Sequence, residues 1–359
     1  NLYMQDITLQ NALEYYKSGS AGRAVCLQDK GTQTICKNVK MLSYQDTYYS
    51  NEPNGKGQFY FEDSEIHGTV DYVCGGGDVY FNRVLFVNES RKEGEKNGED
   101  VIAAPNSKSE WGYIFKDCTI ENKAKAFSLG RSWNNITRLT WLNTTVNQKD
   151  EILNDDKKFA YFTINAMGDA MADKFRLDVL KDAEGNVFSP AEKKVIFKAS
   201  DGKVLKDEEN IILTADEAAV YTLENVFGEW EPAKLAAQQT AGAATEVDGK
   251  LSWTGDAQMY IVLKNGEFFA LTSEKSLDLE GATGTFTVRA ANEMGGFGQA
   301  GSISTGIQNL TSAIENSPAV KTAIFSVSGT QQSRLQKGIN IVVKTLADGS
   351  NETTKMIVK

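Results

Sequence analysis

The chain has 359 residues, which at roughly 150 residues per domain points to two or three domains. Asp and Glu outnumber Lys and Arg by 48 to 38, giving a formal charge of −10, so a nucleic-acid partner held through its phosphates is not expected. Apolar residues, at 41%, suffice for buried cores; no apolar run approaches the roughly 20 residues of a membrane-spanning helix, and the single histidine, His67, excludes a three-histidine zinc site.

The first 150 residues repeat one theme: apolar β-formers, then Asn or Asp, then an alternating strand. It occurs around Asp6, Asn38, Asp63, Asn82, Asp117 and Asn143, with spacings of 32, 25, 19, 35 and 26 residues. A unit of this length with a strand period and no helical period predicts a parallel β-helix, each coil burying its inward residues on its neighbours. From about 150 to 210 the pattern loosens into loops and irregular strands as charge rises. Thr214 to Leu223 reads as a helix, with Thr214 as N-cap and Glu217 completing a capping box. Residues 233–243, rich in Ala, Gln, Gly and Thr, read as a linker. Strand patterns return at Leu251–Trp253, Met259–Leu263, Phe268–Thr272 and Gly284–Ala290, with Asn265-Gly266 as a hairpin turn, and predict a small β-sandwich. A polar connector over 306–320 precedes a last alternating stretch that includes Ala323–Val327, Gly338–Val343 and Thr353–Val358.

Cys26, Cys36, Cys74 and Cys118 form no C-x-x-C pair and are expected to be buried small apolar residues. No signal peptide is visible before the first strand-like stretch.

Two aspartates stand out. Asp46, in Tyr44-Gln45-Asp46-Thr47, lies eight residues past the anchor at 38. Asp71, in Gly68-Thr69-Val70-Asp71-Tyr72-Val73-Cys74-Gly75, lies eight past the anchor at 63. In a solenoid the shared offset places both carboxylates on one face of adjacent coils, about 4.8 Å apart. Two like charges that close cannot both ionise freely, which raises one pKa and yields an acid and a nucleophile from one residue type. Arg131, in Leu129-Gly130-Arg131-Ser132-Trp133, is placed to pair with one of them. Turn capping and an ordinary ion pair are the plainer reading of each residue taken singly.

These three segments, in this order, resemble the signature segments of the pectin methylesterases, carbohydrate esterases built on a right-handed β-helix, and the likeness extends over roughly residues 1–230. The resemblance implies Asp71 as the nucleophile on the methyl-ester carbonyl and Asp46 as the acid that protonates departing methanol. It implies Gln45 as an oxyanion-stabilising amide, Arg131 as the residue holding the nucleophile ionised, and Trp133 as an aromatic packing on the sugar. Arg23 stands where the family commonly has a second oxyanion glutamine, and its guanidinium can still donate there. Arg23, Trp133 and Tyr72 are the expected substrate-binding residues, with no metal and no cofactor. The family's expected N-terminal coils are not found in the chain.

The second domain resembles a fibronectin type III module through Leu251-Ser252-Trp253 and Phe286 to Asn292. The tail, from Ile324 to Lys359, resembles the C-terminal sorting domains of secreted Bacteroidetes proteins, which implies export to the surface or periplasm of a Gram-negative cell. The expectation is therefore an all-β chain: a right-handed parallel β-helix over 1–232, a fibronectin-III-like β-sandwich over 233–305, and a short β sorting domain over 306–359. It is expected to act as a monomer that hydrolyses methyl esters of pectin, the methylated homogalacturonan, through an aspartyl acyl-enzyme. The alternative is a β-helix that grips pectin without turnover; a pectate lyase would need a calcium-binding carboxylate cluster. His67 is expected at the surface or in the groove, Trp111 and Tyr113 in the groove or inside the coil, and Asn88 and Asn135 fit the glycosylation pattern.

Overall fold

The structure, a computed structural model, describes residues 1–14, 16, 22–51, 56–106, 109–133, 136–153, 158–159, 162–163, 165–166, 171–189, 194–199, 204–301, 319–326, 331–332, 334–346 and 351–358. The chain divides into two compact units, residues 1–236 and 237–359.

The first unit winds as a right-handed parallel β-helix, the hand that parallel crossovers take. Each full coil contributes two short strands to a bent 12-stranded sheet and one to a seven-stranded sheet. One coil runs Gln58–Glu62, Glu65–Gly68 and Val70–Gly75; the next runs Asp78–Asn82, Leu85–Asn88 and Glu99–Pro105; the next Tyr113–Lys116, Thr119–Asn122 and Ala126–Gly130. The bend in the larger sheet is made by one residue per coil in the left-handed region: Asp6, Asn38, Asp63, Arg83, Asp117 and Asn143, with φ between 49° and 55°. Asn and Asp are the L-residues that visit this region most readily, which is why the repeat was visible in the sequence. The fourth anchor is a correction. Asn82 pairs with Glu62, one position before the bend, and Arg83 occupies the bend itself.

Stacking these residues on adjacent coils sets a charge problem that the sequence solves by alternation. Asn38 Nδ2 donates to Asp6 Oδ1 at 2.7 Å, Arg83 Nε to Asp63 Oδ1 at 2.7 Å, and Asn143 Nδ2 to Asp117 Oδ1 at 2.6 Å. Inside the coil, the register places Cys36, Phe61, Phe81, Phe115 and Trp141 in one column. Phe81 stacks on Phe115 with ring centroids 4.8 Å apart, and Phe115 on Trp141 at 3.8 Å. Each such pair adds roughly 0.5–1.5 kcal/mol beyond its buried area.

The β-helix continues past residue 150. Met171–Leu177 pairs in parallel with Ile136–Leu142, and Leu180–Lys181 with Thr144 and Thr145, adding a rung where the sequence pattern had loosened. The helix at Thr214 is shorter than expected. Its capping box forms, but it spans only Ala215–Ala219, and Thr222 caps a second helix, Leu223–Phe227. A third, Pro232–Leu235, occupies the start of the expected linker, and Ala233, Leu235 and Ala236 pack with Val226 and Phe227 on Tyr60 and Tyr80 of the bent sheet.

The second unit contains two three-stranded antiparallel sheets over residues 245–290 whose inner faces share a core of Leu251, Trp253, Tyr260, Val262, Phe286 and Val288. It also contains an antiparallel sheet of Ala319–Ser326, Gln331–Gln332, Gly338–Leu346 and Asn351–Val358. The connector expected at 306–320 lies almost wholly outside the described residues.

Candidate active site

The two aspartates sit at the seven-stranded sheet, Asp71 within Val70–Gly75 and Asp46 in the turn that leads into Tyr48–Ser50. Tyr48 pairs with Val73 and Tyr49 with Cys74, a shift of 25 residues that sets Asp46 beside Asp71 on the next coil. Both take a left-handed backbone, φ 58° at Asp46 and 49° at Asp71. Cross-coil hydrogen bonds fix both corners. Asp46 N–H donates to Val70 O at 3.2 Å, Thr69 N–H to Tyr44 O at 2.9 Å, and the Thr47 hydroxyl to His67 O at 2.7 Å. Gly68 is required before this corner, because a Cβ there would lie 2.1 Å from Tyr72 Cβ and 2.6 Å from Tyr44 O. Gly75 closes the strand at φ 112°, with a Cβ position 1.9 Å from Ser50 O.

Arg131 reaches Asp71 across two coils. Its Nε donates to Oδ1 at 2.9 Å and its Nη2 to Oδ2 at 2.7 Å, a bidentate pair that fixes the carboxylate plane of a residue only 6% exposed. Asp46 has no such clamp. Its Oδ2 lies 3.5 Å from Arg23 Nε, and Gln45, which pairs its backbone with Arg23, hydrogen-bonds the Asp46 side chain. Burial, then the charge of Asp71, pushes the Asp46 carboxyl up to about 6; Arg23, Gln45 and Arg131 oppose the rise without cancelling it. One aspartate is thus oriented by a fork of two hydrogen bonds, and its neighbour's carboxyl is raised so that it holds a proton up to about pH 6.

Asp71, Asp46, Gln45, Arg131 and Arg23 therefore come together. Trp133 lies nearby, its N–H donating to Pro105 O at 3.0 Å and its ring centroid 5.9 Å from that of Tyr49. Tyr49 was missed in the sequence. Its signal was strand alternation: Tyr48 and Ser50 are buried, so the ring between them faces outward beside Asp46.

Tyr72 is a correction. It is fully buried in the coil interior and its hydroxyl donates to Asn88 Oδ1 at 2.9 Å, so it does not face a substrate. The same contact removes Asn88 as a glycan acceptor, since Asn88 is fully buried; Asn135 lies outside the described residues. His67 is buried between two carboxylates, Nε2 at 2.5 Å from Glu65 Oε1 and Nδ1 at 2.6 Å from Glu89 Oε1. Tyr113 is inside the coil with its hydroxyl 2.7 Å from Ser50 Oγ, and Trp111 packs on Tyr221. The cysteines are free thiols, three of them buried and Cys26 half-buried, and burial pushes Cys74, beside the dyad, up.

Fold and site together define a parallel β-helix that carries a bidentate-clamped aspartate beside a second, proton-holding aspartate on one face. Residues 1–154 match the family model described as Pectinesterase. Over 156 residues the chain is 30% identical to Pectinesterase B of Pectobacterium parmentieri, covering 39% of this chain and 38% of the relative. Over 135 residues it is 27% identical to putative pectinesterase 11 of Arabidopsis thaliana, covering 38% of this chain and 35% of the relative. The chain thus spans little more than a third of the length of these relatives. Among solved structures it aligns with the pectin methylesterase PemA from Erwinia chrysanthemi at 24% identity and a TM-score of 0.41, covering 64% of this chain and 70% of the other. It aligns with the carrot pectin methylesterase at 16% identity and a TM-score of 0.42, covering 64% and 67%.

Proposed function

We propose that the protein hydrolyses methyl esters of pectin, releasing methanol and leaving a free galacturonate carboxylate. The observation that carries this reading is the inequality of the two aspartates: Asp71 clamped by Arg131 at 2.7 and 2.9 Å, and Asp46 beside it with its carboxyl raised to about 6. The match of residues 1–154 to the Pectinesterase model supports the substrate class.

In this reaction an Asp71 oxygen attacks the ester carbonyl carbon. The Gln45 amide donates to the oxyanion that forms, a contribution of a few kcal/mol when such a donor is preorganised. Protonated Asp46 gives its proton to the methoxy oxygen as the C–O bond breaks, methanol leaves, and Asp71 is left as an acyl anhydride. Asp46, now a carboxylate, takes a proton from water as the water oxygen attacks the acyl carbon. Asp71 is released and Asp46 holds its proton again. Splitting one hard hydrolysis into two steps is the gain of covalent catalysis. Trp133 and Tyr49 supply an aromatic surface for the sugar rings beside the dyad.

Methanol release from methylated pectin tests the proposal. The wild type is expected to turn over, and Asp71→Asn to lose at least about a thousandfold in kcat, the scale of removing a nucleophile. Retained pectin binding without methanol release from the wild type would instead identify a binding protein. The described residues of the second unit, which form antiparallel strands, fit a spacer and sorting role in a chain exported by a Gram-negative cell, which fractionation of cells expressing the full chain tests.

A further inference from the structure

Arg23 is used by the dyad only along one edge. Its Nε lies 3.5 Å from Asp46 Oδ2, while Nη1 and Nη2 make no hydrogen bond among the described residues, and the side chain is 76% exposed. Arg131, by contrast, has committed Nε and Nη2 to Asp71. Arg23 is fixed to the site through its backbone: it bridges Gln45 on the adjacent coil, and the next residue's N–H, that of Ala24, donates to Gln45 O at 2.9 Å.

The product of each turnover poses an electrostatic problem. Every hydrolysed ester leaves a carboxylate on the polymer, next to esters still to be cleaved. A chain of net charge −10 repels that polyanion. A planar guanidinium with a free two-nitrogen edge is the side chain best matched to a carboxylate. We propose that Arg23 is a specificity-determining residue whose free guanidinium edge receives the carboxylate of a de-esterified galacturonate adjoining the one at the dyad, so that partly de-esterified pectin is preferred over fully methylated pectin. The inference rests on the esterase reading and adds to it the neighbour that the substrate carries.

The experiment compares wild type, Arg23→Gln and Arg23→Lys by the ratio of kcat/KM on oligogalacturonides with about half their esters removed to kcat/KM on the fully methylated oligomers. Arg23→Gln is expected to lower this ratio about tenfold, which corresponds to about 1.4 kcal/mol. Arg23→Lys keeps the charge but not the fork and falls between. The wild-type preference shrinks in about 0.5 M salt, as an exposed charge contact must. Calorimetric binding of fully de-esterified oligogalacturonate, which needs no turnover, is expected to weaken about tenfold in Arg23→Gln. An unchanged ratio, including an equal loss on both substrates, overturns the proposal and leaves Arg23 as an oxyanion donor. Unchanged oligogalacturonate affinity overturns it also. Absence of methanol release by the wild type overturns the esterase reading, while the binding measurement still decides whether Arg23 holds a carboxylate.

Discussion

Asp46 and Asp71 share a backbone conformation as well as a surface. The left-handed region disfavours most side chains by about 1–2 kcal/mol per residue, and Asp and Asn are its best-tolerated occupants after glycine. Asparagine therefore probes the carboxyl without disturbing the corner. For Asp46 the sign of the effect is unusual for a carboxylate. Its folded pKa, about 6, lies above its ordinary 3.8, so the stability it contributes is complete below about 3.8 and is lost as pH rises through 6. Asp46→Asn is expected to abolish methanol release yet raise stability at pH 8 by roughly 2–3 kcal/mol, a gain that vanishes below pH 4. Urea unfolding at the two pH values measures it; equal stability of the two proteins at pH 8 contradicts the raised carboxyl. The same group predicts that wild-type kcat/KM falls about tenfold per pH unit above 6, as the acid form is depleted. The pairing of the two aspartates was legible because both sit eight residues past a bend. Tyr72 was not, because a left-handed residue breaks the two-residue alternation of a strand, and the side chain after Asp71 turns inward. His67 was not legible either, since Glu89, which faces it together with Glu65 of its own strand, becomes a neighbour only through the coil register.

At the scale of the element, the bend column decides whether a coil closes. Asp117 has φ 54° and accepts from Asn143 Nδ2 at 2.6 Å, so it carries both the conformational and the hydrogen-bonding requirement. Asp117→Val is expected to cost about 2–3 kcal/mol, adding left-handed strain in a β-branched residue to a lost hydrogen bond. Asp117→Asn and Asp117→Gly are each expected to cost under about 1 kcal/mol. Denaturant midpoints of the three variants separate these cases, and an Asp117→Val midpoint equal to that of Asp117→Asn would remove the role assigned to the bend. This column is what made the solenoid readable, since acid or amide residues recur in it. The one basic member, Arg83, was misplaced by a position because arginine carries no left-handed signature and its neighbour Asn82 does. The rung at Met171–Leu177 escaped for a related reason: its bend falls near Asp178, among charged residues, where apolar alternation fades.

For the whole first unit, buried and half-buried carboxyls of opposite tendency set the pH of greatest stability. Burial raises Glu65 and Glu89 taken alone, but hydrogen bonds from Lys40 and His67 to Glu65, and from His67 and Lys123 to Glu89, hold both below their ordinary 4.5. Their contribution is present above about 4.5 and is lost as pH falls below it. Asp100 tends the other way. It is fully buried, its Oδ2 has no hydrogen-bond partner among the described residues, and burial pushes it up to about 8 although Arg91 Nε donates to Oδ1 at 2.8 Å. With Asp46 it contributes stability that is complete below about 3.8 and declines through 6 and then 8. The two pairs leave a maximum between about pH 3.8 and 4.5, with a fall that runs from there through 6 and on to 8. Scanning calorimetry of the full chain is expected to show the transition of the β-helix falling by roughly 5–10 °C between pH 5.5 and 9, the equivalent of a few kcal/mol for a unit of this size. Asp100→Asn is expected to remove nearly all of that fall above pH 6 and to leave the part below 6 to Asp46. The guanidinium it frees, on Arg91, is 25% exposed and can turn to water. A transition temperature that holds steady or rises from pH 6 to 9 in the wild type would show that Asp100 does not keep its proton in the folded coil.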